Sequence, residues 1–276
     1  MQEWKTNQVV GHSQYRFNLA LMGREGEVTF VSIDPSEQSV LSLTFPPDLA
    51  IKSRVGGEYS IAALYKLGSY KGEGGKFARQ KIQGFMRVPV PGYIVVDKVG
   101  SKVERSLSRG LLSVIFGRSE SSLSRFDAMM LWYRSEKFAW RMVEQEELVR
   151  AGAIVENTYH PDRLQEYIGS RLFDWGIGES RVTVAIVNGS GENGLGSDMA
   201  DFLSNLGMDV VMVRSVNISS ELDVSEWQVD SLEVAQELGY VFQNLFGFDQ
   251  PKVESISGEY RSKVLIRVGK DAKELF

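Results

Sequence analysis

The fold class is set by residues 181–217, RVTVAIVNGSGENGLGSDMADFLSNLGMDVVMVRSVN. The stretch opens with a β-branched run that is typical of a buried strand, and glycine-rich turn chemistry follows it. Apolar residues then recur with the period of a helix, Gly207 ends that helix, and Val210 begins a second strand. A strand, a helix and a strand joined by short loops predict a β-α-β unit with parallel strands and a right-handed crossover.

The turn of this unit has the glycine spacing of a dinucleotide-binding loop, which lets the backbone approach a pyrophosphate at a helix N-terminus. The residues concerned are Asn188, Gly189, Gly191 and Gly194. The acid expected about 20 residues further on is missing, however. Asp198 and Asp201 also place negative charge in the first turns of the helix, where it repels a phosphate. We therefore interpret the glycines as supports of a tight turn and keep a nucleotide-binding regulator as an alternative.

The same stretch resembles a known family. The run Val187-Asn188-Gly189-Ser190-Gly191, then Gly194-Leu195, then a helix ending at Leu206-Gly207, is similar to the C-terminal domain of many LytR–CpsA–Psr proteins. The segment VLIRVGKD, residues 264–271, resembles the closing strand of that domain. The resemblance covers about residues 181–271.

Composition and charge describe an ordinary globular chain with an uneven distribution of charge. There are no cysteines, so disulfides and thiolate metal sites are excluded. Residues 1–110 carry 15 Lys and Arg against 10 Asp and Glu, whereas the chain as a whole has a net charge of −5. The N-terminal part is therefore basic and the C-terminal part acidic, which indicates different partners or mutual attraction.

The N-terminal part predicts a mixed α/β sheet domain. Alternating apolar residues and turn signals predict strands at 16–23, 27–34, 39–45 and 93–97 and helices at 59–67, 76–86 and 102–116. Further on, we expect an edge strand over 138–148 and a polar loop over 219–228.

This part resembles the catalytic domain of the same family in the order of its motifs, VTFVSIDPSEQSVLSLTFPPDL and VPVPGYIVVD. The resemblance implies an enzyme that transfers lipid-linked glycopolymers onto peptidoglycan, with arginines for the pyrophosphate and an aspartate for a divalent cation. Two positions depart from the family. Gly26 stands where the metal-binding aspartate is expected, and Pro47 stands where a phosphate-binding arginine is expected.

These departures favour a protein without catalytic activity. Phosphoryl transfer needs groups that neutralise the developing negative charge, and neither glycine nor proline has a charged side chain. We interpret the chain as a non-catalytic cell-envelope protein that needs no cofactor. The alternative is an active phosphotransferase that uses Mg²⁺, in which Arg24 and Asp48 are the matching residues.

A run of cations that spans two predicted helices and the turn between them is the candidate ligand site. Its members lie beside aromatic side chains and could hold an anionic glycopolymer or polyprenyl phosphate, although a solvated helix face is the simpler interpretation. The residues are Tyr65, Lys66, Lys71, Lys76, Arg79, Lys81 and Arg87. A nucleic-acid partner is not expected, because the chain is acidic overall and the run has no recognised binding motif.

The sequence thus predicts an α/β protein of two domains: an N-terminal mixed α/β sheet domain and a small C-terminal α/β domain with a β-α-β unit. We expect boundaries at 1–118 and 180–276, with 119–179 either bridging them or completing the first domain. The expected partners are wall glycopolymer, polyprenyl phosphate or an envelope protein. The family resemblance implies the extracytoplasmic face of a bacterial envelope and an N-terminal membrane anchor that precedes this sequence.

Overall fold

A computed structural model describes residues 16–53, 57–155, 158–160, 163–164, 166–167, 182–216 and 221–276. The chain divides into two compact units, Met1–Met86 with Val90–Leu172 and Arg87–Pro89 with Phe173–Phe276. Both units are mixed α/β, which confirms the predicted fold class. The boundaries of the segment 119–179 stay a prediction, because part of it lies outside the described residues.

The first unit is built on a sheet with the strand order β6-β1-β2-β3-β7. These strands are β1 (Phe17–Gly23), β2 (Val28–Asp34), β3 (Ser39–Thr44), β6 (Gly92–Val96) and β7 (Ala139–Val143). The strand β2 is antiparallel to β1 and β3, whereas β6 is parallel to β1 and β7 is parallel to β3. Two small antiparallel pairs accompany this sheet, β4 (Ala50–Ser53) with β5 (Gly57–Ser60) and β8 (Ile154–Val155) with β9 (Thr158–Tyr159).

Helices cover both faces of this sheet, which explains why β1 and β2 are buried at every position. The helices are α1 (Leu64–Ser69), α2 (Gly74–Met86), α3 (Val103–Ile115), α4 (Arg125–Ser135) and α5 (Gln145–Arg150). The helix α3 packs on the face of β6 that carries Ile94, and α4 packs against α3. The helix α2 packs on the opposite face, where Gly75 lies against the ring of Tyr93.

The second unit has a five-stranded sheet in the order β11-β10-β14-β12-β13. Its elements are β10 (Thr183–Asn188), α6 (Leu195–Asn205), β11 (Asp209–Ser215), β12 (Glu226–Val229), α7 (Leu232–Leu245), β13 (Lys252–Val253) and β14 (Val264–Val268). The strands β10 and β11 are parallel, so the predicted β-α-β unit is confirmed. Both helices bury their apolar residues against one face of the sheet in a single core that includes Ile186, Phe202 and Phe242.

Three predicted elements differ from the structure. In the expected helix over 59–67, Tyr59 and Ser60 belong to β5, a 3₁₀ helix follows, and α1 begins only at Leu64. The expected strand over 138–148 ends at Val143, and α5 begins at Gln145 with two acids in its first turn, where the helix dipole favours them. The expected loop over 219–228 contains β12, which pairs with β14. None of the helices in the described ranges is long and apolar enough to cross a bilayer.

Candidate functional site

The carboxyl ends of four strands meet at one edge of the first sheet, because β1, β3, β6 and β7 all run in the same direction. Ligands of open α/β sheets bind outside this kind of edge. Arg24 follows β1, Asp48 lies four residues after β3, and Asp97 follows β6. The two residues that match the resembling enzymes, Arg24 and Asp48, are therefore placed at the edge where a site would form.

The side chains of Arg24 and Asp48 are both exposed. The Nε of Arg24 lies 3.6 Å from Oδ1 of Asp97, and the carboxylate of Asp97 is fully solvated. An ion pair in water of this kind contributes little to stability and orders neither partner strongly. The charge of Asp48 acts on Tyr159, whose pKa is raised to about 12, chiefly by burial and secondly by that carboxylate. Arg24 and Asp48 thus interact with different groups.

Gly26 occupies the position at which the family resemblance requires an aspartate. Its φ is +111°, in the left-handed region that side chains rarely adopt. A Cβ built there would lie 2.9 Å from both Cβ and the carbonyl oxygen of Ala62. The turn after β1 therefore packs directly on the 3₁₀ helix Ile61–Ala63, and a metal-binding side chain does not fit at this position.

Replacing Gly26 with aspartate should lower the free energy of unfolding of the first unit by about 2–4 kcal/mol, because it adds backbone strain and a clash with Ala62. Urea unfolding of the variant measures this loss. Gly57→Asp is the matched control, because Gly57 also has a positive φ, of 97°, but no heavy atom lies within 4 Å of the position that its Cβ would take. Equal losses for both variants would show that strain alone acts and that Ala62 does not fill the space.

A carboxylate holds the N-terminal end of α2. Oε1 of Glu120 accepts a hydrogen bond from the Gly75 N–H at 3.0 Å, and Oε2 accepts one from the Tyr65 hydroxyl at 3.1 Å. Burial first, and then the bond to Glu120, raises the pKa of Tyr65. Burial followed by the Glu120 charge also raises the pKa of Tyr93. Glu120 therefore satisfies a backbone donor and ties two tyrosines to α2, as a capping anion does.

This carboxylate is a residue that the sequence did not single out. Glu120 lies in a serine-rich segment, and it reaches α2 because the segment pairs with β6: the Val95 N–H donates to the Glu120 carbonyl at 2.9 Å. The contact between Tyr65 and Glu120 joins residues 55 positions apart. No local pattern of residues carries a signal for such a contact.

Two of the predicted ligand-binding cations in α2 are withdrawn from solvent: Lys81 is buried and Arg79 is half-buried. Nη1 of Arg79 donates to the Val90 carbonyl at 2.9 Å, and burial lowers the pKa of its guanidinium. Lys81 is buried with its Nζ 5.7 Å from the ring centroid of Phe77. Arg79 therefore holds the segment after α2, and Lys81 packs against an aromatic ring, so both contribute to the packing of the unit.

A third cation, Arg87, belongs to the second unit together with Val88 and Pro89. Its Nη1 pairs with Oδ2 of Asp201 at 2.5 Å, and its Nη2 lies 3.6 Å from Oδ1 of Asp198. These are the acids that the sequence placed in the first turns of α6. Arg87 therefore neutralises them and is not part of the surface formed by the remaining lysines.

The remaining lysines are exposed at the turn between α1 and α2. Lys66, Lys71 and Lys76 all point into solvent, and Tyr70 beside them is 89% exposed. Lys76 forms an exposed ion pair with Glu73, at 3.1 Å. We call Lys66, Tyr70, Lys71 and Lys76 the basic turn. It is the part of the predicted ligand site that a large solute can reach.

The glycine loop of the second unit is filled by its own side chains. Oδ1 of Asn188 accepts from the Ser190 hydroxyl at 2.7 Å, and its Nδ2 donates to the Glu192 carbonyl at 2.8 Å. Gly191 has a φ of +76°, and a Cβ at this position would collide with the carboxylate of Glu221. Gly189 donates from its backbone to Val268, and Gly194 precedes α6 with a φ of +81°. The space beside Gly191 is thus filled by the Glu221 side chain, which suits a tight turn better than a pyrophosphate.

Within the described residues, no group of three or more His, Asp or Glu side chains is arranged to hold a metal ion. The candidate binding groups among the described residues are the exposed side chains at the sheet edge, Glu120 with its contacts, and the basic turn.

Residues 181–271 match the model of a family described as LytR cell envelope-related transcriptional attenuator. The second unit is therefore a domain of the LytR C-terminal kind, and the resemblance stated from its sequence is confirmed. No curated protein sequence matches the chain.

Several solved structures are similar to the chain. Bacillus subtilis TagT is 12% identical, with 61% of this chain and 96% of that chain covered and a TM-score of 0.40. A LytR-CPS2A-psr family protein, YwtF (TagT), with bound octaprenyl pyrophosphate lipid is 13% identical over 61% of this chain and 95% of that chain, with a TM-score of 0.41. A transcriptional regulator from Enterococcus faecalis is 12% identical, with 58% of this chain and 88% of that chain covered and a TM-score of 0.41.

Proposed function

We propose that this chain is a non-catalytic protein of the bacterial cell envelope that binds an anionic wall glycopolymer through the basic turn. The match of residues 181–271 to a cell envelope-related family supports the compartment. The absence of catalysis rests on one observation, the packing of Gly26 on Ala62, which leaves no space for a metal-binding carboxylate.

The chemistry of the basic turn supports the ligand class. Lysine ammonium groups bind phosphate as mobile point charges, and an exposed tyrosine ring offers a flat apolar face to a sugar. Lys66 and Lys71 flank Tyr70, so one short segment provides both kinds of contact. A glycopolymer of repeating sugar phosphates matches this combination, because phosphate charges and sugar rings alternate along its chain.

One assay with a polyprenyl-pyrophosphate glycan, run with and without Mg²⁺, distinguishes a binding protein from a transferase. We expect saturable binding in both conditions and no transfer of glycan to peptidoglycan. Transfer that depends on Mg²⁺ would establish the phosphotransferase instead. The absence of binding in both conditions would remove the glycopolymer from the proposal.

Replacing Lys66 and Lys71 with glutamate should weaken binding of the glycan about tenfold or more at low salt, because attraction to phosphate becomes repulsion. Titration calorimetry at two salt concentrations measures the affinity, and the difference between wild type and variant should shrink at the higher salt. The double variant Lys98→Glu with Lys102→Glu is the control, since it makes the same charge change at exposed lysines elsewhere in the first unit. An equal loss in both double variants would indicate attraction by overall charge alone and contradict a site at the basic turn.

A further inference from the structure

The helix α4 exposes apolar side chains on its outer face. Phe126, Met129 and Tyr133 follow the i, i+3, i+7 spacing of one helix face and are 49%, 46% and 54% exposed. The opposite face is buried and mixed in character, with Ala128 and Leu131 beside Asp127 and Ser135. Large apolar side chains grouped on one exposed face of a helix indicate a binding surface.

The end of α3 extends this surface. Phe116 follows α3 and is 68% exposed. Nη2 of Arg125 lies 2.9 Å from the position that a Cβ of Gly117 would take, so the Arg125 side chain covers the backbone between α3 and α4. We call Phe116, Arg125, Phe126, Met129, Tyr133 and Lys137 the α4 outer face.

Positive charges lie at both ends of this surface. Arg125 begins α4, and Nζ of Lys137 lies 4.0 Å from the ring centroid of Tyr133 at the other end. The acid within the helix, Asp127, is fully buried. Glu136, which follows the helix, is exposed, and it accepts a hydrogen bond from the Ser108 hydroxyl of α3 at 2.7 Å.

We propose that the α4 outer face rests on the surface of an anionic phospholipid bilayer. Aromatic and methionine side chains enter the boundary between headgroups and acyl chains, while flanking Arg and Lys pair with anionic headgroups. The α4 outer face has this composition, with cations at both ends of an apolar stripe and the helix acid withdrawn into the interior. A bilayer is favoured over a protein partner because the face pairs positive charge with a plain apolar stripe, which complements an anionic lipid surface.

Co-sedimentation with lipid vesicles tests the proposal on the whole chain. We expect binding to vesicles that contain phosphatidylglycerol and much weaker binding to pure phosphatidylcholine, with a fall as salt screens the charges. Phe126→Ser combined with Met129→Ser should lower the partition about tenfold or more, because two apolar side chains no longer enter the boundary. Leu232→Ser combined with Val253→Ser, which removes exposed apolar side chains from the second unit, should leave the partition unchanged.

A fluorescent label provides a second measurement, which reports the part of the bound chain that meets the lipid. The chain has no cysteine, so Met129→Cys carries a polarity-sensitive dye at one known position. The emission should shift to the blue on anionic vesicles, whereas the same dye at Val253→Cys should not respond. Unchanged emission at position 129 would overturn the proposal. The proposal would also be overturned if the chain did not bind vesicles and instead formed dimers that depend on Phe126. A second copy of the chain would then cover this face.

Discussion

Replacing Phe242 with alanine should lower the free energy of unfolding of the second unit by about 3–5 kcal/mol, the usual loss for a large aromatic side chain in a core. Phe242 is fully buried in α7 and stacks on Trp227, with ring centroids 4.4 Å apart and planes at 16°. Its ring also lies 5.5 Å from that of Phe246 and 6.0 Å from that of Phe248. Alanine would leave a cavity among rings that cannot all move inward, and it would remove the stacking contact on β12.

Hydrogen–deuterium exchange resolves this effect by unit. Peptides from β10, β12 and β14 should exchange faster in Phe242→Ala, while those from β1, β2 and β3 should keep their wild-type rates, because the two units have separate cores. Leu232→Ala is the control on the same helix, since Leu232 is largely exposed and should change the stability by less than about 0.5 kcal/mol. Equal acceleration in both units would contradict an independent core in the second unit.

The elements that the sequence predicted well are those with a local repeating pattern. The β-α-β unit was recognisable because the apolar period changes from that of a strand to that of a helix between Asn188 and Leu195. The strand β12 has no such pattern, because Gln228 is buried between two apolar residues. Its amide donates to the Ser255 carbonyl at 3.2 Å, and the Trp227 indole donates to the Asp249 carbonyl at 2.8 Å. Partners more than 20 residues away therefore make a polar segment into a strand.

The candidate site was predictable in composition but not in arrangement. The run of cations was visible in the sequence, yet nothing in it separates a lysine in water from one packed on a ring. Lys76 and Lys81 lie on the same helix, five residues apart, and only Lys81 is buried. The choice depends on which face of α2 meets the sheet, and that is fixed by strands from other parts of the chain.

The second large loss of stability is expected when the buried ion pair between Arg16 and Asp34 is broken. Replacing Asp34 with asparagine should lower the free energy of unfolding of the first unit by about 3–5 kcal/mol, because it leaves the Arg16 charge buried without its carboxylate. Both side chains are buried, and the guanidinium binds the carboxylate directly. Oδ1 of Asp34 accepts hydrogen bonds from the Ser36 and Glu37 N–H groups at 2.9 and 3.1 Å. Asparagine keeps an oxygen for these two donors, so the turn after β2 should be retained.

A double-mutant cycle isolates the charge from the turn. In a chain that already carries Arg16→Met, the same Asp34→Asn change should lower the stability by only about 1 kcal/mol, because no buried cation is then left behind. Urea unfolding followed by exchange of peptides from β1 and β2 measures each variant, and the second unit should be unaffected throughout. If Asp34→Asn is equally damaging with and without Arg16, the carboxylate acts through the turn and not through the ion pair. The non-additive outcome is expected because β1 and β2 are buried at every position, which keeps water from replacing the lost carboxylate beside the guanidinium.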